Sequence, residues 1–204
     1  MELLWYDIRR LDEETMAQTM AMMDEARRRR VGDIAGEDDR KRTVAGELLA
    51  RRALAQRLGC GEGEAPLRWD DTGKPAVDAD GVYVSVSHSG PYAVCAVADV
   101  PVGVDVEVVR SADEKFMRRV CSEAEMAYIR VGDDGDCARF WEIWTAKESL
   151  FKLTGKGPLL TLSQLTLPEG VVLDHIREKG CALTKEAYAL LAAMDNVDPA
   201  RLAI

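Results

Sequence analysis

The sequence predicts an α+β protein built from two mixed halves that divide near residue 100. Three observations lead there. Apolar residues recur at helical spacing over 12–58, three closely spaced β segments fill 82–108, and helical spacing returns over 113–153. With 204 residues, 47% of them hydrophobic and 31% charged, the chain can bury a sizeable core and still present a soluble surface.

Taken in order, Met1 to Ile8 reads as an edge strand. Asp12 to Arg30 reads as one helix that sets Leu11, Met16, Met20 and Met23 on roughly one face for core packing. Asp38 to Leu58 is a second helix, with Val44, Leu48, Leu49 and Leu58 near helical spacing and Gly59 as its stop. The stretch 61–81 is rich in turn formers, among them Pro66, Asp70, Asp71, Gly73, Pro75 and Gly81. Val82, Val84 and Val86 then alternate with Tyr83 and Ser85. Tyr92 to Ala98 is continuously apolar, as in a strand buried on both faces, and Val102, Val104, Val106 and Val108 alternate again. Helices are expected at Asp113–Val120, Ser122–Val131 and Asp136–Leu153. Beyond Leu159, short strands are expected around Leu165 and Val172, and the remainder carries no clear period.

Composition excludes several classes. Met1 to Arg10 lacks the apolar core of a signal peptide, and no run approaches a membrane span. The five cysteines are scattered and none forms a C-x-x-C pair, which points to reduced thiols in a cytoplasm. A net charge of −9 argues against broad contact with nucleic acid or anionic membranes. Basic residues do cluster at Arg27–Arg30 and Arg40–Arg42, a pattern that suits a small polyanion or, as the alternative, a solvated helix face.

The chemistry concentrates in two segments. In Val102-Gly103-Val104-Asp105-Val106-Glu107-Val108, strand alternation puts the valines on one side and Gly103, Asp105 and Glu107 on the other. Two carboxylates thus lie roughly 7 Å apart along the strand. Like charges so close repel unless a cation lies between them, and hard oxygen donors beside phosphate select Mg2+. Gly103 leaves room for a ligand to approach the backbone. The alternative is an amphipathic strand with a solvated acidic face. The second segment, Phe140 to Lys152, sets Glu148 and Lys152 on one helix face, with Phe140, Ile143, Trp144, Leu150 and Phe151 for packing. A carboxylate on a rigid helix suits a metal, and a neighbouring lysine suits phosphate charge.

Together these segments resemble the 4'-phosphopantetheinyl transferase superfamily. Val102 to Glu107 matches its [VI]-G-[IVL]-D-[IVL]-E strand, and Trp144 to Lys152 matches its W-[ST]-x-K-E-[AS]-x-x-K helix about forty residues later. Upstream, the chain is similar to the surfactin-type branch in Arg42, Gly46, Leu49 and Arg51, in Gly73-Lys74-Pro75, and in Val86-Ser87-His88-Ser89-Gly90. The resemblance implies two similar α/β lobes, 1–100 and 101–204, in a pseudo-two-fold arrangement with coenzyme A in the cleft between them. It implies Mg2+ on Asp105, Glu107 and Glu148, with Lys147 and Lys152 toward the coenzyme. Arg27, Arg30, Arg42, Lys74, Ser87 and His88 would meet the nucleotide and its 3'-phosphate. The partner implied is an apo acyl or peptidyl carrier protein, and the enzyme is expected to be a monomer.

Some residues carry a second reading. Lys74 also reads as an exposed turn residue, and His88 as a structural histidine in a loop. Glu125 is open between two roles. Ser122-Glu123-Ala124-Glu125 reads as a capping box, whereas the resemblance puts a candidate general base there, after Cys121 in place of the family's aromatic residue. Two other functions fit the same residues less fully: a coenzyme A-binding module without catalysis, and a metal-dependent phosphohydrolase. Leu159, Leu160, Leu162 and Lys185 are candidates for carrier docking.

Overall fold

The computed structural model describes residues 1–130, 137–154, 162, 172–175 and 187–193. The chain divides into two compact units, with the break between Val102 and Gly103.

The first unit is organised around strand β5 (Tyr92–Ala98), whose seven residues are all buried. It pairs antiparallel with β1 (Glu2–Asp7) on one side and β4 (Tyr83–Ser89) on the other, giving the order β1-β5-β4. The register runs Glu2↔Val97 to Asp7↔Tyr92 and Tyr83↔Ala98 to Ser89↔Tyr92. Residues on both faces of β5 are buried, as its continuous apolar run implies, and a helix covers one of those faces. The covering element is α3 (Glu37–Leu58), closed by Gly59 at φ +69, a left-handed cap that glycine adopts without a side-chain clash. Ala45, Leu49, Ala53 and Leu54 of α3 join Val84, Ala93, Cys95 and Val97 in the main core. Gly46 lets α3 lie close, since a Cβ there would come 2.8 Å from Val86 Cγ1.

The single helix expected over Asp12–Arg30 is two: α1 (Glu13–Met22) and α2 (Glu25–Gly32). Asp24 breaks it. Its backbone is extended and its side chain accepts from the Arg27 backbone N–H at 2.8 Å, so an N-cap outcompetes helical continuity. The methionines do pack inward: Met23 is buried with Leu11, Val31, Val44 and Leu48, and Met16 and Met20 rest against them. The turn-rich stretch holds a short hairpin of β2 (Leu67–Trp69) and β3 (Pro75–Val77). Ser87, His88 and Ser89, expected in a loop, belong to β4 itself; the chain reverses at Gly90, φ +53.

The second unit has the sheet order β6-β8-β7, from β6 (Val102–Val108), β7 (Val172–His175) and β8 (Ala187–Ala193). The strand expected around Val172 is thus present, whereas Leu165 lies outside the described residues. Helices α4 (Glu114–Val120), α5 (Glu123–Arg130) and α6 (Ala138–Thr154) fall where helical spacing places them. An aromatic cluster anchors the start of α6: Phe116 lies 5.4 Å from Phe140 and 5.2 Å from Trp144, and Trp141 donates to the Arg110 carbonyl at 2.7 Å. Among the described residues, no helix is long and apolar enough to cross a membrane, and Cys60, Cys95, Cys121 and Cys137 are free thiols.

Candidate functional site

The acidic face of β6 is not turned to solvent. Asp105 is only 4% exposed, because α6 lies against that face. Gly103 makes the approach possible, as a Cβ there would collide with the Ser149 carbonyl oxygen and lie 2.6 Å from the Leu153 backbone nitrogen. The room that Gly103 leaves is therefore filled by the α6 backbone, where a ligand was expected.

Contacts along this seam fix its direction. Trp144 Nε1 donates to Glu107 Oε1 at 3.2 Å, and Lys152 Nζ donates to Asp105 Oδ1 at 2.6 Å. As the strand runs from 107 back to 103, the helix runs forward from 144 to 153, so the two are antiparallel. Four helix residues rise about 6 Å and two strand residues about 6.7 Å, so successive turns of α6 meet successive acidic positions of β6. Glu148, midway between Trp144 and Lys152, comes level with the two strand carboxylates. Burial first, and then the Asp105 carboxylate, pushes the Glu148 carboxyl above its ordinary range; Lys152 opposes the shift and Glu107 adds to it.

Among the described residues, no three His, Cys, Asp or Glu side chains are gathered closely enough to hold a metal ion as the chain stands. The donor chemistry fits a hard divalent ion all the same. The three groups are carboxylates, and after burial, the larger cause, part of the upward push on Glu148 comes from the like charges of Asp105 and Glu107, which such an ion relieves.

Lys147 and Glu125 form a separate cluster. Lys147 is fully buried, and its ammonium donates to Glu125 Oε2 at 2.6 Å, the Leu162 carbonyl at 2.8 Å and the Val120 carbonyl at 2.9 Å. Its three donors are thus all engaged within the chain, where the resemblance implied a contact with the coenzyme. Glu125 takes part in the capping box: its Oε2 accepts from the Ser122 backbone N–H at 2.7 Å, while its own N–H donates to Ser122 Oγ at 3.3 Å. Leu162 packs beside the aromatic cluster; Leu159, Leu160 and Lys185 lie outside the described residues.

The cationic residues of the first unit that the resemblance singled out lie in two places. Arg27 and Arg30 of α2 both meet the β2–β3 hairpin. The Arg27 guanidinium stacks 3.9 Å over Trp69, with its Nε 3.5 Å from the fully buried Glu47, which also accepts from Arg51 Nε at 2.7 Å. Arg27 is consequently 9% exposed, and burial pulls its pKa down while Glu47 opposes the shift. Arg30 donates to the Asp70 and Asp71 carbonyls at 3.3 and 3.5 Å. Lys74 closes the same hairpin. Its backbone N–H donates to Asp70 Oδ1 at 2.8 Å and its side chain is exposed. The other place is the β4–β5 turn, where Arg42 donates to the Gly90 carbonyl at 2.7 Å and pairs with Asp39. Ser87 is buried and His88 exposed on the strand leading into that turn. Sequence reasoning missed the Glu47–Arg27–Arg51 network and the Trp144–Glu107 bond; the i,i+4 spacing of Glu47 and Arg51 was the available signal for the first.

A carboxylate pair on a strand, roofed by a helix bearing a third carboxylate and a lysine, is a donor set chemically suited to a hard divalent cation and to phosphate. Residues 11–100 match the family described as 4'-phosphopantetheinyl transferase, N-terminal, and residues 101–194 match the 4'-phosphopantetheinyl transferase superfamily. The chain belongs to the 4'-phosphopantetheinyl transferase superfamily. It is 34% identical to the 4'-phosphopantetheinyl transferase gsp of Aneurinibacillus migulanus over 61% of this chain and 53% of that protein. Identity to the 4'-phosphopantetheinyl transferase Sfp of Bacillus subtilis (strain 168) is 26%, over 79% and 73% of the two chains. The 4'-phosphopantetheinyl transferase HetI of Nostoc sp. is 30% identical over 59% and 54%. The chain thus spans between about half and three quarters of the length of these relatives.

Proposed function

We propose that the chain transfers the 4'-phosphopantetheine arm of coenzyme A to a serine of an apo acyl or peptidyl carrier protein, with Mg2+, releasing 3',5'-ADP. The observation that carries this reading is the antiparallel seam of β6 and α6, which brings Asp105, Glu107, Glu148 and Lys152 to one patch. The names of the relatives support the same reaction class.

Asp105, Glu107 and Glu148 would hold Mg2+, which supplies charge neutralisation for the diphosphate and for the departing 3',5'-ADP. Lys152, one helix turn from Glu148, adds a mobile positive charge for the phosphate oxygens. Trp144 fixes the Glu107 carboxylate through its indole N–H. Arg30, Arg42, Lys74, Ser87 and His88 would receive the nucleotide and its 3'-phosphate, and Arg27 belongs to the same set with its charge already shared with Glu47 and Trp69. Glu125 would take the proton of the attacking serine from its place beside Lys147, or serve as cap alone. Lys147 acts through Glu125 rather than by contact. Two pseudo-two-fold lobes, 1–100 and 101–204, a coenzyme cleft, a monomeric state and a cytoplasmic setting complete the proposal.

The test is direct. Apo carrier incubated with coenzyme A, Mg2+ and the chain gains one phosphopantetheine by mass, and Asp105→Ala abolishes the gain. A panel of fatty acid, polyketide and peptide carriers that all stay unmodified would overturn the proposal.

A further inference from the structure

Lys152 is placed on Asp105 in a way that concerns more than phosphate contact. Its ammonium lies 2.6 Å from Asp105 Oδ1; the Asp105 side chain is 5% exposed and that of Lys152 31%. Lys152 therefore sets its positive charge on the more buried of the strand pair, with the Glu148 carboxylate close to both. Trp144, which binds Glu107, brings no charge of its own. A divalent ion that arrives alone must share Asp105 with an ammonium a few ångströms away, and the two cations repel. A diphosphate changes the balance. Its oxygens offer the long, flexible lysine side chain a charge-assisted partner that need not be shared with the metal.

We propose that Lys152 is an exchangeable counter-ion of Asp105, drawn off by a diphosphate, so that divalent metal and diphosphate each strengthen the binding of the other. Linkage requires the effect to be reciprocal: whatever factor the diphosphate gives the metal, the metal returns to the diphosphate. The inference rests on Asp105, Glu107 and Glu148 as metal ligands, and it does not require transfer to a carrier.

Titration calorimetry on the full chain reads it out. Mg2+ is titrated alone into metal-free wild type, Lys152→Met and Lys152→Arg; coenzyme A is then titrated with and without Mg2+. With the ammonium removed, Lys152→Met binds Mg2+ alone about tenfold tighter than wild type, the scale set by one charge a few ångströms away in a partly wet site. Its gain in coenzyme A affinity on adding Mg2+ shrinks correspondingly, while Lys152→Arg keeps both wild-type values. Mg2+ affinity in Lys152→Met equal to or weaker than wild type overturns the inference. If that happens while wild type still loads a carrier, the counter-ion role alone falls. If neither wild type nor Lys152→Met binds Mg2+, the metal-ligand reading falls and takes this inference with it. Melting curves in EDTA confirm that the variants fold, and Lys152→Gln serves in place of Lys152→Met if the latter does not.

Discussion

Replacing Gly103 by alanine tests the seam on which the candidate site depends. A Cβ at this position would lie 2.6 Å from Leu153 N and 3.0 Å from Leu153 Cβ, against an ordinary contact of 3.4 Å or more, and it would also collide with the Ser149 carbonyl oxygen. Two of these three neighbours are backbone atoms of α6, so no change of rotamer relieves the clash. The helix must retreat by roughly 1 Å or the strand must bend. Overpacking of this kind costs about 1–3 kcal/mol, and each kcal/mol lowers the melting temperature of a chain this long by about 2–4 °C. A retreat of that size carries the 2.6 Å Lys152–Asp105 bond past hydrogen-bonding distance and withdraws Glu148 from the strand carboxylates. For groups that act by position, the loss in carrier-loading kcat/KM is about 100-fold. The assays are a thermal melt in EDTA and mass-detected carrier loading. A Gly103→Ala chain with wild-type melting and wild-type kcat/KM refutes the reasoning at its root. A lowered melting temperature with unchanged kcat/KM refutes only the link from packing to the site.

Three further outcomes are expected. The Glu148 carboxyl is raised in the folded chain, so its protonated form favours folding; that contribution is whole below its ordinary value of 4.5 and is lost as pH rises through the raised value. Glu148→Gln should therefore raise the EDTA melting temperature at pH 8 and leave it unchanged at pH 4. Lys147→Met takes the ammonium from the part-buried Glu125 carboxylate, which keeps its bond from the Ser122 N–H, and from two carbonyls, and a loss of about 1–3 kcal/mol in urea unfolding is expected. Ser122→Ala removes one half of the capping box of α5 and should cost about 1 kcal/mol in the same experiment.

The parts of the fold readable from sequence are those governed by neighbours in the chain. Alternation in 102–108 located the carboxylate pair, the i,i+4 spacing joined Glu148 to Lys152, and the Ser122–Glu125 box and the Gly59 stop are local hydrogen-bond and backbone effects. The parts that escaped depend on partners far along the chain. A lysine in an amphipathic helix reads as exposed, and Lys147 is buried only because Val120, Glu125 and Leu162 meet it from three segments. Gly103 reads as space for a ligand because nothing near it in sequence announces α6. Glu47 draws no attention in the sequence, because its burial depends on Arg27, which arrives from another helix. Asp24 is a different case: its capping chemistry was visible, but the apolar period running across it was the stronger signal.

The pitch of α6 against β6 also limits how long such a seam can be. A helix step of about 6 Å set against a strand step of about 6.7 Å works as a vernier, slipping by about 0.7 Å at each rung. Flexible side chains absorb that slip over the rungs at 107, 105 and 103, but a fourth rung would stand about 2 Å out of step. A three-rung constellation is therefore close to the largest that a straight helix can align on a straight strand. Deleting one residue between Trp144 and Lys152 would turn half of it through about 100° and out of reach.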